Sequence, residues 1–223
     1  MVQQCRIDEA WIDDTSARLL RSAMKGRARR TLVGIAGIPG SGKSTLAGLL
    51  HRRLEGVEPG AAAVVPMDGF HFPNRVLVSR GLIERKGAPE TFDAVGYIDL
   101  LERAAATAAV IHFPVYDRNV HEPVLRHDAA QSLGPATRVL IAEGNYLLLD
   151  RHPWDALAAV LDECWSLETP LETARQWTIS RHVRGGRAPA DATAHYGRCD
   201  GPNAQLVLSC ARDPDLCLRW PDY

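Results

Sequence analysis

Lysine is scarce in this chain of 223 residues. Only three of its 26 basic residues are lysines, at positions 25, 43 and 86, and 27 acidic residues bring the formal net charge to −1. Since both signs are spread along the chain, no broad positive field favours nucleic acid or an anionic membrane as a partner. Any site for phosphate must therefore be built locally.

Long apolar runs and a cysteine framework are also missing. No stretch approaches the roughly 18 to 20 apolar residues that cross a bilayer, and residues 1–5 open no signal-peptide pattern. The five cysteines are odd in number and form no C-x-x-C, which argues against a disulfide framework or a zinc ribbon. We therefore expect a cytoplasmic protein with reduced thiols, no membrane insertion and no nucleic-acid partner.

Apolar runs that alternate with amphipathic segments predict the fold. The pattern indicates buried strands at 31–36, 61–66 and 137–142, and helices at 43–54, 95–108 and 170–184. This alternation is typical of an α/β fold, a parallel sheet with helices on both faces in three layers, α/β/α. We expect one domain over 1–223, with an N-terminal helical extension at 1–28 and a small lid at about 184–200. Two strands around a turn are predicted in the tail, at 205–211 and 216–220.

A phosphate-binding loop follows the first of these strands. Residues 37–44 spell GIPGSGKS and match the pattern G-x-x-x-x-G-K-[ST]. Its glycines let backbone N–H groups turn toward phosphate oxygens, and the next helix adds the positive end of its dipole. Lys43 would reach the β- and γ-phosphates of a nucleotide, and Ser44 would ligate Mg²⁺. The predicted nucleotide-binding residues of this segment are Gly37, Pro39, Gly40, Ser41, Gly42, Lys43, Ser44 and Thr45.

Two acidic residues stand at the ends of the other predicted strands. Asp68 follows the second strand directly, so its carboxylate would lie beside the γ-phosphate and accept a proton from an attacking hydroxyl. Glu143 ends the third strand, where proteins with this loop keep an acid that orients magnesium. The predicted metal ligands are therefore Ser44, Glu143 and Asp68. The alternatives are a turn-capping Asp68 and a surface acid at Glu143.

Arginines flank the pair of glycines at 185–186, between two predicted helices. Guanidinium groups swung over the phosphates would stabilise charge during transfer and exclude water. We assign Arg181 and Arg184, together with Lys43 and Asp68, to catalysis, and Arg187 to nucleotide binding. The alternative is a solvated basic helix end that the helix dipole favours.

These motifs and five further segments carry a resemblance to a known family. The segments are MDGFHFPN at 67–74, KGAPETFD at 86–93, PVYDR at 114–118, EGNYLLL at 143–149 and GPNA at 201–204. The chain resembles the P-loop kinases that group phosphoribulokinase, uridine kinase and bacterial pantothenate kinase, above all bacterial proteins named as fructose-transport-system kinases. The resemblance extends over about residues 32–218. It implies an ATP- and Mg²⁺-dependent kinase that phosphorylates a hydroxyl, with Asp68 as the base.

The resemblance also suggests where the acceptor binds. Segment 86–93 resembles the stretch that shapes the acceptor side in pantothenate kinase, and Tyr116 falls where uridine kinases contact their substrate. Polar groups on such loops can hydrogen-bond a polyhydroxylated molecule, although ordinary packing is the alternative for each. The predicted acceptor-binding residues are His71, Phe92, Tyr116, Arg118, His121 and Asn145. Asn203 matches the family segment that positions the nucleotide or the lid, and Asp200 matches it too.

The sequence thus predicts ATP-dependent phosphoryl transfer to a hydroxyl of a small molecule. A fructose-like sugar is the first choice of acceptor, and a pantothenate-like compound or a nucleoside is the alternative. A regulatory GTPase would need a guanine-selecting Asn-Lys-x-Asp, and the chain has none. A nucleotide-binding regulatory subunit without its own chemistry stays open. A homodimer is the commonest arrangement of soluble oligomers, but no segment identifies an interface.

Overall fold

The computed structural model describes residues 2–25, 29–125 and 131–221. The strands in these ranges are β1 Gln3–Arg6, β2 Thr31–Ala36, β3 Ala62–Pro66, β4 Ile111–His112, β5 Val115–Asp117, β6 Glu122–Val124, β7 Ser132–Leu133, β8 Val139–Gly144, β9 Glu163–Glu168 and β10 Leu216–Arg219. The α-helices are α1 Glu9–Lys25, α2 Lys43–Val57, α3 Asn74–Ser79, α4 Ala94–Ala106, α5 Leu157–Val160, α6 Leu171–Arg184, α7 Pro189–His195 and α8 Gly201–Cys210. No helix in the described ranges combines the length and the apolar character that a membrane crossing needs.

Six strands form one parallel sheet in the order β1-β10-β9-β2-β8-β3. Successive side chains of a strand point to opposite faces. Accordingly, Leu140 belongs to one buried hydrophobic cluster, and its neighbours Val139 and Ile141 belong to another. Helices cover both clusters, so the predicted three-layer α/β/α fold is confirmed.

The N-terminal segment adds a strand that the sequence pattern did not predict. β1 pairs in parallel with β10 at the edge of the sheet, although its residues, QQCR, form no apolar run. Helix α1 follows and buries Leu19 and Leu20. An ion pair between Arg53 Nε and Asp13 Oδ1, at 2.7 Å, joins it to α2. The segment is therefore part of the sheet as well as a helical extension; positions 1 and 26–28 lie outside the described residues.

The tail differs from the sequence prediction in one element. Residues 205–211 do not form a strand, because α8 runs from Gly201 to Cys210. A short apolar run fits either a strand or a helix, and Pro202 in the first turn favours the helix. The second tail strand is present as β10, and it pairs in parallel with β9 rather than in a hairpin.

The carboxyl ends of β2, β8 and β3 lie side by side in this sheet. The phosphate loop follows β2, Asp68 follows β3, and Glu143 is the last residue but one of β8. The topology therefore brings all three predicted elements to one edge, where ligands of parallel sheets bind.

Candidate active site

The phosphate loop between β2 and α2 has no room for side chains at two of its glycines. Gly40 and Gly42 have φ angles of +78° and +93°, in the left-handed region that favours glycine. A Cβ at Gly40 would lie 2.2 Å from Thr178 Oγ1 and 2.3 Å from the carbonyl oxygen of Ala174. Both neighbours belong to α6. The loop therefore packs directly against the helix whose last turn carries the predicted lid arginines.

Two side chains near other strand ends fasten the same loop. Thr169 Oγ1 and Trp220 Nε1 both donate to the carbonyl oxygen of Ser41, at 3.0 and 3.2 Å. Ser41 itself is fully buried. The shape of the loop is thus set by the surrounding protein, and a loop ordered in advance binds its ligand at a lower entropic cost.

Lys43 lies near the end of the loop, and its side chain is buried. Its Nζ donates to the carbonyl oxygen of Ile38 at 2.8 Å. Burial lowers the pKa of Lys43 from 10.5 to about 8. The carboxylates of Glu143 and Asp68 act against this shift, and Arg181 adds to it. A desolvated cation at a phosphate loop is suited to bind an anionic phosphate.

Ser44 and Glu143 face each other at the start of α2 and the end of β8. Ser44 Oγ donates to Glu143 Oε1 at 3.0 Å. Burial and the nearby charge of Asp68 raise the pKa of Glu143, while Lys43 and the bond from Ser44 act against that rise. A hydroxyl and two carboxylates are the hard oxygen ligands that Mg²⁺ prefers. These residues fit a magnesium ion that is bound together with nucleotide phosphates.

Asp68 lies in a 3₁₀ turn directly after β3. Its side chain is 40% exposed, and its Oδ2 lies 3.8 Å from Arg118 Nη2. Asp68, Lys43, Ser44 and Glu143 all line one cavity of about 390 Å³, which we call the Asp68 cavity. The candidate base and the phosphate loop therefore face the same space.

A second cavity, of about 710 Å³, shares part of this wall, and we call it the loop cavity. Both cavities are lined by Gly40, Lys43, Ser44, Arg118 and Arg181. The other predicted residues at the loop cavity are Gly42, Thr45 and Arg184. Those at the Asp68 cavity are Pro39, His71, Phe92, Tyr116, His121, Asn145, Arg187 and Asn203. Gly37 and Ser41 line neither of the two; Gly37 borders a third cavity, of about 530 Å³, and Ser41 is fully buried.

One part of the Asp68 cavity is aromatic. The ring centroid of His71 lies 3.9 Å from that of Phe92 and 4.9 Å from that of Tyr116. Burial lowers the pKa of His71, although Asp68 acts against this shift, so the imidazole is neutral at physiological pH. Burial raises the pKa of Tyr116 to about 12, which keeps its hydroxyl protonated. A ligand here would meet flat ring faces and neutral hydrogen-bonding groups.

Lys86 bridges two segments beside these rings. Its Nζ donates to Asn74 Oδ1 and to the carbonyl oxygen of His121, both at 2.5 Å. It also lies 5.2 Å from the ring centroid of Tyr116. These contacts join α3 to the β5–β6 hairpin and fix one side of the Asp68 cavity.

Comparisons with known proteins give close relatives of comparable length. The uncharacterized Escherichia coli (strain K12) protein YggC is 38% identical over 196 residues, 87% of this chain and 79% of that protein. A Schizosaccharomyces pombe protein named as a candidate uridine kinase is 32% identical over 199 residues, 86% of this chain and 83% of that protein. The crystal structure of a candidate fructose transport system kinase from Silicibacter matches with a TM-score of 0.82 and 35% identity, over 92% of this chain and 98% of that one. No protein-family model matches the chain.

These identities, over most of each relative's length, decide the family. The chain belongs to the P-loop kinases of the uridine kinase and pantothenate kinase group. It is thus a small-molecule kinase with an alcohol group as acceptor.

Sequence reasoning missed several side chains that line the cavities of this kinase. They are Trp177 and Trp220 at the loop cavity, and Asn74, His182 and His195 at the Asp68 cavity. A signal existed for Trp177, since it lies four residues before Arg181 and so on the same face of α6. Trp220 directly follows the strand β10, just as Asp68 was predicted because it comes after a strand. This position indicates a site residue only when β10 is known to belong to the parallel sheet.

Proposed function

We propose that this kinase transfers the γ-phosphoryl group of ATP to a hydroxyl of a fructose-like sugar. One observation carries the proposal. The phosphate-loop residues Lys43 and Ser44 and the acids Glu143 and Asp68 line a single cavity, which also holds polar and aromatic side chains. A phosphate donor and a hydroxyl acceptor can thus meet within reach of a base.

The donor side would be bound by the main chain and a few charges. Lys43 and the N–H groups of the loop would hold the β- and γ-phosphates, and Ser44 and Glu143 would hold Mg²⁺. When bound, the magnesium ion would neutralise negative charge on the phosphates. Arg181, which lines both cavities, would stabilise the charge that spreads over the transferring group.

The chemical step needs one proton acceptor. In this proposal the oxygen of the acceptor hydroxyl forms a bond to the γ-phosphorus, and Asp68 accepts the proton that this hydroxyl loses. The bond from that phosphorus to the bridging oxygen breaks, and ADP leaves with the electron pair. Arg118, whose Nη2 lies 3.8 Å from Asp68 Oδ2, would help to position the carboxylate through its opposite charge.

The acceptor side favours a polar molecule of modest size. The cavity of about 390 Å³ combines Tyr116, His121 and Asn145 with the guanidinium of Arg187. Nη1 of Arg187 is buried and has no hydrogen-bond partner within the described part of the chain, so it is a donor that a ligand could satisfy. Several hydroxyls can use such groups at once, and a sugar ring can pack on flat aromatic faces.

A nucleoside is the second candidate acceptor. His71 and Phe92, with ring centroids 3.9 Å apart and ring planes tilted by 41°, form an aromatic wall on which a base could stack. The relative from Schizosaccharomyces pombe that is named for uridine agrees with this alternative.

The test is a screen of ATP consumption with sugars, nucleosides and pantothenate-like compounds, followed by mass measurement of the product. A phosphorylated sugar with a higher kcat/KM than any other acceptor supports the proposal. A preference for a nucleoside over the sugars would mean that the acceptor is a nucleoside, the second candidate. Normal ATP binding with no phosphorylated product from any compound would instead support a regulatory subunit without its own chemistry.

A further inference from the structure

Two histidines and one aspartate meet near the ends of α6 and α7 and the start of α8. His182 lies in the last turn of α6 and His195 is the last residue of α7. Asp200 ends the π-helical turn at 196–200 that leads into α8. His182 Nε2 lies 2.9 Å from Asp200 Oδ2, and His195 Nε2 lies 4.0 Å from the same oxygen. Among the residues that the structure describes, no other three groups of this kind converge so closely.

We infer that this cluster is a site for a transition-metal ion, with Zn²⁺ as the best fit. The three ligand atoms lie within 4.8 Å of one another. In a tetrahedral zinc site with Zn–N distances near 2.0–2.1 Å, ligand atoms are about 3.3 Å apart. Small shifts of the three side chains would therefore let their ligand atoms bind one ion between them.

The chemistry of the ligands separates this site from a magnesium site. Imidazole nitrogens suit zinc and other transition metals, whereas magnesium prefers oxygen ligands. Metal ligation needs neutral imidazole. His182 and His195 each offer one imidazole nitrogen, and Asp200 offers a carboxylate oxygen.

The site has room for one more ligand. His182, His195 and Asp200 all line the Asp68 cavity, so a fourth position would face this open space. Three protein ligands with one open position are the usual arrangement of accessible zinc sites. An ion here would join the end of α6, the end of α7 and the start of α8. It would therefore fasten the lid as one unit.

A metal titration without nucleotide or acceptor tests this inference independently of the proposed function. The full-length, metal-free protein is titrated with Co²⁺, whose visible absorption reports coordination, and with Zn²⁺ in competition with a chromophoric chelator. We expect one equivalent of metal, a tetrahedral Co²⁺ spectrum and a higher unfolding temperature with Zn²⁺. His195→Ala and Asp200→Asn should each weaken binding by about 100-fold, because the first removes an imidazole ligand and the second replaces a carboxylate by a neutral amide.

Two control variants make the result specific. His152→Ala removes a histidine from an exposed pair in which Nδ1 lies 3.7 Å from Asp155 Oδ1, and it should bind metal like the parent. Ser44→Ala alters the proposed magnesium site and should also bind Zn²⁺ like the parent. His195→Gln, with folding checked by circular dichroism, serves if the alanine variant unfolds. Absence of saturable binding to the parent, or parent-like binding by His195→Gln and Asp200→Asn, would overturn the inference.

Discussion

The loop cavity and the Asp68 cavity share Gly40, Lys43, Ser44, Arg118 and Arg181, but the rest of each wall comes from a different part of the chain. The phosphate loop is main chain, fastened by buried hydrogen bonds and packed against α6 so closely that Gly40 has no room for a methyl group. Much of the wall of the Asp68 cavity is instead made of side chains from turns, from the β5–β6 hairpin and from residues 182–203. Arg118, which lines both cavities, has 62% of its side chain exposed.

This difference affects which substitutions each side of the site tolerates. A binding surface made of backbone N–H groups depends on the path of the chain, and few substitutions leave it intact. A surface made of side chains can be altered one residue at a time while the sheet stays the same. We therefore expect the phosphate side to be sensitive in stability as well as in binding, and the acceptor side to be sensitive in substrate affinity alone.

The largest expected effect comes from Asp68, where the two sides meet. Asp68→Asn keeps the shape of the side chain but removes the proposed proton acceptor, so kcat should fall by about 10²- to 10⁴-fold. The affinity for ATP, measured by calorimetry, should change little. The matched control is Asp99→Asn, which breaks an exposed ion pair with Arg103 on α4 and should keep the parent rate. A parent-like kcat in Asp68→Asn would show that another group is the base.

Gly40→Ala tests whether the backbone conformation and tight packing of the loop exclude a side chain at this position. The new Cβ would meet Thr178 Oγ1 at 2.2 Å in a left-handed conformation, so the free energy of unfolding should fall by about 2–4 kcal/mol. A methyl group at Gly56 in α2 would meet nothing within 4 Å, and Gly56→Ala should stabilise the protein by about 0.5–1 kcal/mol. Urea denaturation of both variants measures the contrast. Equal effects of the two substitutions would contradict the tight loop.

The pH dependence of stability tests the burial of Lys43. Its pKa is about 8 in the folded protein and 10.5 ordinarily, so between these values the unfolded chain binds more protons than the folded one. The contribution of Lys43 to the free energy of unfolding must then rise with pH, by up to about 1.4 kcal/mol per pH unit between about pH 8 and 10.5. Lys43→Met lacks the group, and its unfolding free energy should lack that rise. Parallel curves for the parent and the variant would argue against the lowered pKa.

The smallest effect is expected on the acceptor side. Tyr116→Phe keeps the ring that packs 4.9 Å from His71 and removes only the hydroxyl. The KM for the acceptor should rise by about threefold to tenfold, which corresponds to the net free energy of one neutral hydrogen bond. The KM for ATP should not change. Steady-state kinetics with each substrate varied in turn separates the two. An equal rise in both KM values would mean that the two sides are not independent.

The sequence was a good guide wherever a signal lies within one continuous stretch. The buried strands at the core of the sheet carry strong apolar runs, and the phosphate loop carries a fixed spacing of glycines, so both are predictable from the residues themselves. Asp68 could be singled out because it directly follows such a strand. β1 could not, since the polar segment QQCR is held at the sheet edge by backbone pairing with β10, which leaves no mark on hydrophobicity. Residues 205–211 were predicted wrongly because a short apolar run does not distinguish a strand from a helix.

By itself, the sequence determined the fold class, the phosphate loop and the acids at the strand ends, because local spacing and hydrophobic period act over a few neighbouring residues. Only the tertiary structure decided which distant side chains meet. His182 and Asp200 lie on opposite sides of α7 in the chain and come within 2.9 Å, and Trp220 reaches Ser41 from the far end of the chain. Such contacts depend on how helices and strands pack, and packing is a property of the whole core rather than of any one segment.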